Sequence, residues 1–443
     1  MELTQILLCV LVAAPGLAFL GLALGWLLGA EPKERGIAVV TRVALGASLG
    51  CFAALAVLML RAGQASVTVP LGDWFRAHEY SFPLVLLADG LSLPLIGLTI
   101  LLTSLIAAFS VTYMHREAGF LRFYLQLNLF AFGALLVLSA GSFDLVIGGW
   151  ELVGISSVLL IAFFEQRTGP VRNAIRVFAT YRTADVGLLV GVFLMHHWAG
   201  TATYSELFGN PKMTGAPALA VGLLLWMAAS GKSAQLPFSG WLPRAMEGPT
   251  PSSAIFYGAI SVHLGAYLLL RAAPILAMAP VAAGVVIAVG ALTAAYGTIT
   301  GRACSDAKTS LAFAALSQLG LIFVEIGLGW TTLALFHILG HATVRTLQFL
   351  RAPSMLHDYH QLHSAAGGPL EKTGEHYDTW LPLAWRWWLY RFAMDRGHLD
   401  SAIDRGFGGP LHAVSSWLGH PSFGTAQMPR AKVASVKPIG GLD

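Results

Sequence analysis

Residues 145–164 read LVIGGWELVGISSVLLIAFF, twenty residues that carry one charged side chain, Glu151. About 20 apolar residues are what a helix needs to cross the hydrocarbon core of a bilayer. An ionised group at that depth costs at least roughly 2.5 kcal/mol unless it is paired or hydrated, and intramembrane acids are functional by default. This stretch therefore predicts a membrane-spanning helix with a working carboxyl group. The alternative is a permanently protonated acid that is hydrogen-bonded to neighbouring helices.

The rest of the chain has the same apolar character. Of 443 residues, 56% are hydrophobic and 11% are Asp, Glu, Lys or Arg, against roughly 25% charged in soluble domains. Runs of spanning length occur near residues 3–29, 36–61, 83–113, 120–140, 143–164, 173–197, 216–236, 250–271, 279–300, 309–329 and 331–350. We predict an all-α polytopic membrane protein of about eleven transmembrane helices.

Composition also divides the chain. Residues 1–82 are predicted to be N-terminal transmembrane helices, residues 83–350 the main transmembrane domain, and residues 351–443 a polar cytoplasmic tail. Four prolines between Pro237 and Pro251 predict a broken helix near residues 231–251. Such breaks are frequent at transport sites.

Loop charges predict the orientation. Lysines and arginines are concentrated in the first, third and fifth connections between the runs, which by the positive-inside rule are cytoplasmic. The N-terminus is then outside and the tail cytoplasmic, in a cell inner (plasma) membrane. The first run has no basic residues before it and is too long for a signal peptide, so we expect a retained helix. The excess of four positive charges reflects topology, and no nucleic-acid partner is predicted.

One segment of the tail differs from the rest. Residues 380–396 mix four tryptophans and Tyr390 with Arg386 and Arg391, a pattern typical of a helix in the lipid headgroup layer or docked on a partner. A surface helix packed on the protein's own cytoplasmic face is an equal alternative.

A second intramembrane charge lies in the stretch GKSAQLP, residues 231–237, which contains Lys232. A desolvated lysine trades protons near neutral pH, whereas the plainer reading is an ammonium that reaches the interface. Arg182 and Asp185 share a helix face at i and i+3. They form a structural ion pair or set the local field for Glu151.

Histidines provide a third group. His337, His341 and Arg345 fall at i, i+4 and i+8, so they make one stripe, and imidazoles titrate near neutral pH. We favour a proton relay over simple packing or zinc ligation. His263 is a lone histidine for which packing and relay are equally open.

Two further charges lie in the run 309–329 or just before it. Lys308 marks the start of that run and is either a relay member or an end charge. Glu325, roughly 25 Å further along the helix axis, serves the outer end of a pathway or is inert. The polar set of Glu, Lys and His, without a cage of oxygen ligands, predicts protons as the cargo, with sodium left open. The three cysteines form no CxxC motif, so no cofactor is expected in this chain.

Seven stretches together resemble the antiporter-like proton-conducting subunits shared by respiratory complex I and the multi-subunit sodium/proton antiporters. They are ADGLS (88–92), WELVG (150–154), TYRTAD (180–185), GKSAQLP (231–237), GPTP (248–251), LSQLG (316–320) and FHILGH (336–341). The resemblance implies that Glu151 and Lys232 form an exchanging pair, which Arg182 and Asp185 modulate.

The resemblance also assigns Lys308, His337 and His341 to the central relay. Where the family has a histidine this chain has Tyr257, with His263 six residues on. Typical members continue for several helices beyond Leu350, among them one with an exit lysine. A complete exit path of the family type is therefore not expected here.

The stretch LRAPSMLHD, residues 350–358, is similar to the membrane subunit (DabB type) of energy-coupled inorganic carbon pumps. That resemblance implies a large cytoplasmic partner (DabA type), zinc-binding and carbonic-anhydrase-like, which cation flow would drive. We therefore expect a non-enzymatic, ion-conducting subunit of such a pump. The alternatives are a proton-pumping subunit of a complex I-like NADH–quinone oxidoreductase, or a non-conducting membrane anchor.

Overall fold

The computed structural model describes residues 2–30, 32–77, 80–304, 306–352, 364, 380–403, 405 and 406. The first half contains α1 (Leu3–Leu27), α2 (Glu34–Ala62), β1 (Ser66–Ala77), β2 (Tyr80–Asp89), α3 (Ser92–Tyr113), α4 (Phe120–Leu138), α5 (Phe143–Ile161), α6 (Thr168–Ala199), α7 (Tyr204–Leu207) and α8 (Ala216–Lys232). The second half contains α9 (Trp241–Arg244), α10 (Thr250–Ser252), α11 (Ser261–Arg271), α12 (Ala273–Ala277), α13 (Pro280–Gly301), α14 (Ala307–Gly327), α15 (Thr331–Arg351), α16 (Leu383–Met394) and α17 (Leu399–Ile403).

The predicted fold class is confirmed. Within the described residues, nine helical segments are long and apolar enough to cross a membrane. The other two predicted runs also form helices: α8 is short because it stops at the proline-rich break, and α15 is less apolar because it carries the His337–His341–Arg345 stripe. All eleven predicted runs thus have a helical counterpart.

A β-hairpin replaces part of what was expected to be helical, and here the prediction was wrong. Residues 66–89 form the antiparallel pair β1–β2, and α3 begins at Ser92 instead of near residue 83. The cause is a period of two, because Val67 and Val69 are buried while their neighbours are exposed. The Asp89 carboxylate accepts hydrogen bonds from the amides of Leu91 and Ser92 and so turns the chain into α3.

The hairpin defines one side of the membrane, which we call the hairpin side. Arg271, the last residue of α11, binds the Asp89 carboxylate with distances of 2.6 and 3.1 Å. Since α13 follows directly after α11 and α12, it starts on this side as well. Gly327 at the end of α14 packs against Ala283 near the start of α13. The C-terminal end of α14 therefore also lies on the hairpin side.

The predicted break between α8 and α11 is present. Residues 233–252 form short turns, 3₁₀ segments at Phe238–Gly240 and Ala245–Glu247, and the one-turn helices α9 and α10. A π-helical segment, Ser253–Ala259, then leads into α11. The chain from Thr250 to Arg271 is completely buried inside the protein, so side chains on it can reach several neighbouring helices.

Helices α13 and α14 touch along their backbones. A Cβ atom on Gly290 would lie 2.6 Å from the Gly320 carbonyl oxygen, and one on Gly297 would lie 2.8 Å from the Ser317 amide nitrogen. Both positions therefore require glycine. This close contact fixes α14, and with it the side chains that α14 presents to α15.

The tail is described only in part. Residues 353–363 and 365–379 lie outside the described residues, as does most of the stretch 350–358. The predicted helix near 380–396 is present as α16, which packs against α13. Ala393 is buried and Phe392 is half-buried, while the tryptophans of α16 are exposed. Helix α17 belongs to a separate compact unit that begins at Asp395.

Candidate functional site

Glu151, Arg182 and Asp185 meet where α5 packs against α6. Arg182 forms an ion pair with Glu151 and a second one, at 2.8 Å, with Asp185 one turn further along α6. The indole nitrogen of Trp150 donates to the other Asp185 oxygen at 2.5 Å. One guanidinium therefore joins two carboxylates, and the Arg182–Asp185 pair expected from the spacing is present.

The cluster is unevenly buried. The side chains of Glu151 and Arg182 are 35% and 38% exposed, whereas that of Asp185 is 4% exposed. Several exposed side chains near them on the same helices are apolar, for example Ile155 and Val186. The Glu151–Arg182 ion pair thus faces out of this chain, at the depth of the spanning helices.

Lys232 closes the same cluster from α8. It is 1% exposed, and its ammonium donates to the Trp150 carbonyl at 3.3 Å. The Nζ atom lies 4.8 Å from the centre of the Trp150 ring and 4.4 Å from that of Tyr181, distances that suit cation–π attraction. A Cβ atom on Gly154 would come within 3.2 Å of Nζ, so glycine makes room for the ammonium.

The structure gives the contacts of Glu151 and Lys232 before the predicted exchange between them. Among the described contacts, Glu151 is held by Arg182, and Lys232 is held by a carbonyl and two rings. Gly154, one turn beyond Glu151 on α5, would present a Cβ 3.2 Å from the lysine nitrogen and 3.6 Å from an Arg182 nitrogen. Both cations therefore border the same turn of α5. The exchange itself stays a prediction.

Tyr257, which stands where the family has a histidine, lies in a chain of hydroxyl groups. Its oxygen is 3.1 Å from the Ser157 hydroxyl, which is 3.4 Å from the Tyr181 hydroxyl. The Tyr181 ring is one of the two beside Lys232. Tyr257 thus connects the π-helical segment to the lysine cluster through α5 and α6.

His263 and His341 are in direct contact. Their Nε2 and Nδ1 atoms are 2.8 Å apart, and Arg345 approaches the other nitrogen of His341 at 3.2 Å. His263 Nδ1 donates to the Ala259 carbonyl, which is free because the His263 amide bonds to Ile260 instead. The donors and acceptors match throughout with both rings neutral. This contact turns the lone histidine of the sequence into a member of the histidine group.

His337 extends this chain toward the end of α14. Its ring centre lies 6.3 Å from that of His341. Its Nδ1 is 2.8 Å from a Glu325 carboxylate oxygen, and its Nε2 is 3.0 Å from the Gln318 amide oxygen. Glu325 and Gln318 are seven residues apart on one face of α14. Sequence reasoning left Glu325 without a partner because its partner belongs to the next helix.

Lys308 lies at the other end of α14. Its ammonium donates to the Gly248 carbonyl at 3.4 Å, within the GPTP stretch at the end of the break. It is half-buried, and it is 17 residues from Glu325. The structure therefore separates Lys308 from the three histidines and places it on the side opposite the hairpin.

Two contacts between an acid and a basic side chain near the hairpin side were missed. Asp144 on α5 and His196 on α6 are 2.8 Å apart, with side chains 3% exposed. The second pair is Arg271 with Asp89. Burial alone would raise the pKa of Asp89, but the Arg271 guanidinium brings that pKa below its usual range. In the sequence, Asp144 lies seven residues before Glu151 and so on the same face of α5. This spacing was the available indication that Asp144 also faces α6.

Metal ligation was an open alternative for the histidine stripe. Over the described ranges, histidine, cysteine and acidic side chains do not come together in a group of three or more suited to a metal. The nitrogens of His337 face Glu325 and Gln318, and those of His341 face His263 and Arg345. This arrangement suits proton transfer between neighbouring rings.

Two family models match the chain. Residues 139–373 match "NADH:quinone oxidoreductase/Mrp antiporter, TM", and residues 74–124 match "NADH-Ubiquinone oxidoreductase (complex I), chain 5 N-terminus". The first match includes every predicted site residue. The second covers the end of the hairpin and α3.

Curated relatives agree with these matches. NADH-quinone oxidoreductase subunit L of Mycobacterium tuberculosis (strain ATCC 25618 / H37Rv) is 36% identical over 332 residues, which are 72% of this chain and 52% of that protein. NADH-ubiquinone oxidoreductase chain 5 of Mycosarcoma maydis is 34% identical over 343 residues, 77% of this chain and 51% of that protein. The chain spans about half the length of these relatives.

Solved structures show the same fold. A chain of the Mrp complex from Dietzia sp. DQ12-45-1b superposes with a TM-score of 0.67 at 27% identity, over 79% of this chain and 37% of that one. A chain of the membrane-bound sulfane sulfur reductase, an archaeal respiratory membrane complex, gives a TM-score of 0.66 at 19% identity, over 78% of this chain and 70% of that one. The second likeness concerns the fold alone. With a family model that matches more than half of its residues, this chain belongs to the family of antiporter-like membrane subunits of NADH–quinone oxidoreductases and Mrp antiporters.

Proposed function

We propose that this chain is a proton-conducting membrane subunit of a multisubunit, energy-converting complex. The observation that carries the proposal is Lys232, whose ammonium is 1% exposed and has two aromatic rings and one carbonyl as its contacts. A buried charge without a directly bound counter-ion costs several kcal/mol. A chain that keeps such a group among spanning helices has a use for its charge.

Arg182 gives the cluster a way to change state. Because it is bound to both Glu151 and Asp185, it can release Glu151 and remain paired with Asp185. Glu151 is then free to attract the Lys232 ammonium across the turn that carries Gly154. The charge state of Lys232 therefore depends on the position of Arg182. Proton transfer through this cluster requires such a coupling between the movement of Arg182 and the protonation of Lys232.

The exposed half of the cluster supports a neighbouring subunit. Glu151 and Arg182 are more than one third exposed, and large apolar side chains such as Ile155 and Val186 are exposed on the same helices. A charge pair facing lipid is costly, so we propose that another membrane protein covers it. Such a partner would deliver or receive the charge displacement at Glu151.

The kind of complex follows from the relatives. They are subunits of NADH–quinone oxidoreductases and of an Mrp complex, which supports the complex I-like alternative better than the inorganic carbon pump. The carbon-pump reading, with its zinc-bearing DabA-type partner, rests on residues 350–358 and stays a prediction. In either case this chain moves the ion, and a partner carries the chemistry.

Orientation is part of the proposal. Loop charges favour an N-terminus on the outside, which would place the hairpin outside and residues after Arg351 in the cytoplasm. Proteolysis of sealed inner-membrane vesicles of known orientation tests this. Cleavage within β1–β2 from the cytoplasmic side would reverse the assignment.

The test of conduction uses the intact complex, purified in gentle detergent and reconstituted into vesicles with a pH-sensitive dye inside. A potassium diffusion potential drives proton entry, so the natural energy source is not needed. We expect Glu151→Gln and Lys232→Met to abolish dye acidification while the complex still assembles. Normal transport in both variants would refute the proposal.

Two matched controls separate charge removal from damage. Lys212→Met and Glu117→Gln make the same changes at exposed loop positions and are expected to leave transport unchanged. Identification of the co-purified proteins distinguishes the complexes. Redox subunits with Fe–S clusters and flavin support the complex I-like reading, and a single large zinc protein supports the carbon pump.

A further inference from the structure

Glu325 is the charged group on α14 nearest the hairpin side. It lies two residues before Gly327, the last residue of α14, and its side chain is 15% exposed. One carboxylate oxygen binds His337, whereas the other is buried and has no hydrogen-bond partner. A buried carboxylate oxygen without a partner is costly, which indicates that this oxygen serves a purpose other than structure.

The three histidines lead to this carboxylate in order of depth. His263 and His341 are hydrogen-bonded to each other at 2.8 Å. His337, one turn nearer the hairpin side on α15, has its ring centre 6.3 Å from that of His341. His337 in turn contacts Glu325 at 2.8 Å. The series is continuous apart from the step between His341 and His337, which one water molecule can bridge.

The length of α14 places Glu325 near one face of the membrane. Lys308 and Glu325 are 17 residues apart, roughly 25 Å along the helix axis, and the hydrocarbon core is about 30 Å thick. Lys308 lies near the side opposite the hairpin, and Glu325 lies near the hairpin side. Glu325 is therefore close to the hairpin-side surface, at the end of α14 away from Lys308.

We propose that Glu325 is the terminal proton carrier of the histidine series on the hairpin side, with His337 as its immediate partner. This proposal rests on the proposed function. It assigns an outlet on the hairpin side to the histidine series. Gln318 holds the opposite nitrogen of His337 at 3.0 Å, so the imidazole is kept with its other nitrogen toward the acid.

The proton balance is simple. The Nε2–H group of His337 donates to the Gln318 oxygen throughout. His337 takes up a proton at Nδ1 from a water molecule that bridges to His341 and passes it to the Glu325 carboxylate, which becomes a carboxylic acid. The ring is then neutral again, with its remaining proton on Nε2. Glu325 releases its proton to the hairpin side and regains its negative charge.

The surroundings of Glu325 contain few other charges. The neighbouring α15 contributes His337, His341 and Arg345, and α11 contributes His263 and, at its hairpin-side end, Arg271, which is paired with Asp89. Helix α13 has no acidic, basic or histidine side chain. A change in the pH profile on substitution of Glu325 therefore reports on Glu325 and the three histidines, which is the group that the proposal concerns.

The test compares variants in the reconstituted complex. Glu325→Gln keeps an oxygen that accepts a hydrogen bond from His337 but cannot carry a proton. We expect transport to fall on the order of 100-fold, the scale of a positioned acid–base group, and Glu325→Asp to restore part of it. A purely structural hydrogen bond predicts the opposite, because glutamine preserves the contact and the shorter aspartate does not.

Two reference variants make the result decisive. Glu206→Gln changes an exposed, hydrogen-bonded acid on the hairpin side and is expected to have no effect. If Glu151→Gln also transports normally, the proposed function itself fails. If Glu151→Gln is inactive while Glu325→Gln keeps full transport and an unchanged pH profile, only the present proposal is overturned.

A measurement on the wild-type complex covers poor assembly of the variants. Infrared difference spectra between high and low pH report the carbonyl stretch of protonated carboxylic acids. We expect a band that is lost or shifted in Glu325→Gln, or in His337→Gln if the former does not assemble. A spectrum unchanged in whichever variant assembles would overturn the proposal.

Discussion

The two polar clusters of this protein are built from different materials. The cluster around Lys232 contains a permanent cation, Arg182, shared by two carboxylates. The cluster around His341 contains imidazoles that are hydrogen-bonded in a neutral arrangement. A guanidinium in a protein does not release its proton, so in the first cluster Arg182 acts by its position, which sets the charge on Lys232. The second cluster changes state by moving protons.

The surroundings differ in the same sense. The Glu151–Arg182 ion pair reaches the outer surface of the chain, where a neighbouring protein could act on it. His263 is 4% exposed and His341 is 8% exposed, and both are reached from within the chain. The first cluster is therefore suited to respond to a neighbouring protein, and the second is suited to pass protons within the chain. Four substitutions test this division, in order of decreasing effect on transport.

Arg182→Gln should have the largest effect. It leaves the carboxylates of Glu151 and Asp185 without their shared cation, and Asp185, whose side chain is 4% exposed, becomes a buried charge without its partner. We expect transport to be abolished and the thermal stability of the complex to fall. Dye acidification and thermal unfolding measure the two effects. Arg76→Gln, at an exposed ion pair on the hairpin, is the matched control, and equal behaviour of both variants would contradict the division.

His341→Phe should affect transport more than stability. Phenylalanine fills the ring volume but cannot bond to His263 or Arg345, so the proton series is interrupted. We expect a loss on the order of 100-fold, as for other positioned acid–base groups, with assembly preserved. His197→Phe, at an exposed histidine stacked on Phe193, provides the control. Full transport in His341→Phe would exclude this histidine from the pathway.

Tyr257→Phe should have a moderate effect. The ring packing against Trp241 is retained, and only the hydrogen bond to Ser157 is lost, worth about 1 kcal/mol or roughly fivefold. We expect a decrease of that size if the hydroxyl chain links the two clusters. Tyr113→Phe removes a comparable hydroxyl that binds Thr250. A larger loss in Tyr113→Phe than in Tyr257→Phe would argue against the link.

Asp89→Asn should leave transport at neutral pH nearly unchanged, because it belongs to neither cluster. Arg271 lowers the pKa of Asp89 in the fold, so the pair stabilises the protein above the unfolded pKa of about 3.9. That contribution disappears as pH falls through the lower, folded value. We expect thermal stability of the wild type to decline below about pH 4, and the decline to be smaller in Asp89→Asn. Identical pH profiles of unfolding would show that the pair contributes nothing.

The sequence predicted the helices well because membrane spans are defined by length and apolarity, which are local properties. It also predicted the Arg182–Asp185 pair, since i and i+3 positions must be neighbours on a helix. The hairpin was missed because residues 83–89 are apolar enough to extend the run of α3. Their period of two, which indicates a strand, was outweighed by the high hydropathy of α3, which follows.

Contacts between distant helices could not be predicted in the same way. The His263–His341 contact joins residues 78 positions apart, and it depends on the π-helical segment that frees the Ala259 carbonyl. The Glu325–His337 contact depends on how α14 and α15 pack around the turn between them. Composition and spacing identify which residues are polar, whereas the packing decides which of them meet.

The Asp89–Arg271 contact also has a consequence for how the protein is made. The two residues are 182 positions apart, and at roughly 5 to 20 residues synthesised per second the hairpin waits about 10 to 40 seconds for its partner. Five helices, α3 to α6 and α8, are inserted during that interval. The hairpin must therefore cross or remain at the membrane surface without its anchor. Once Arg271 has been synthesised and inserted, its ion pair with Asp89 fixes the hairpin to the completed first half of the chain.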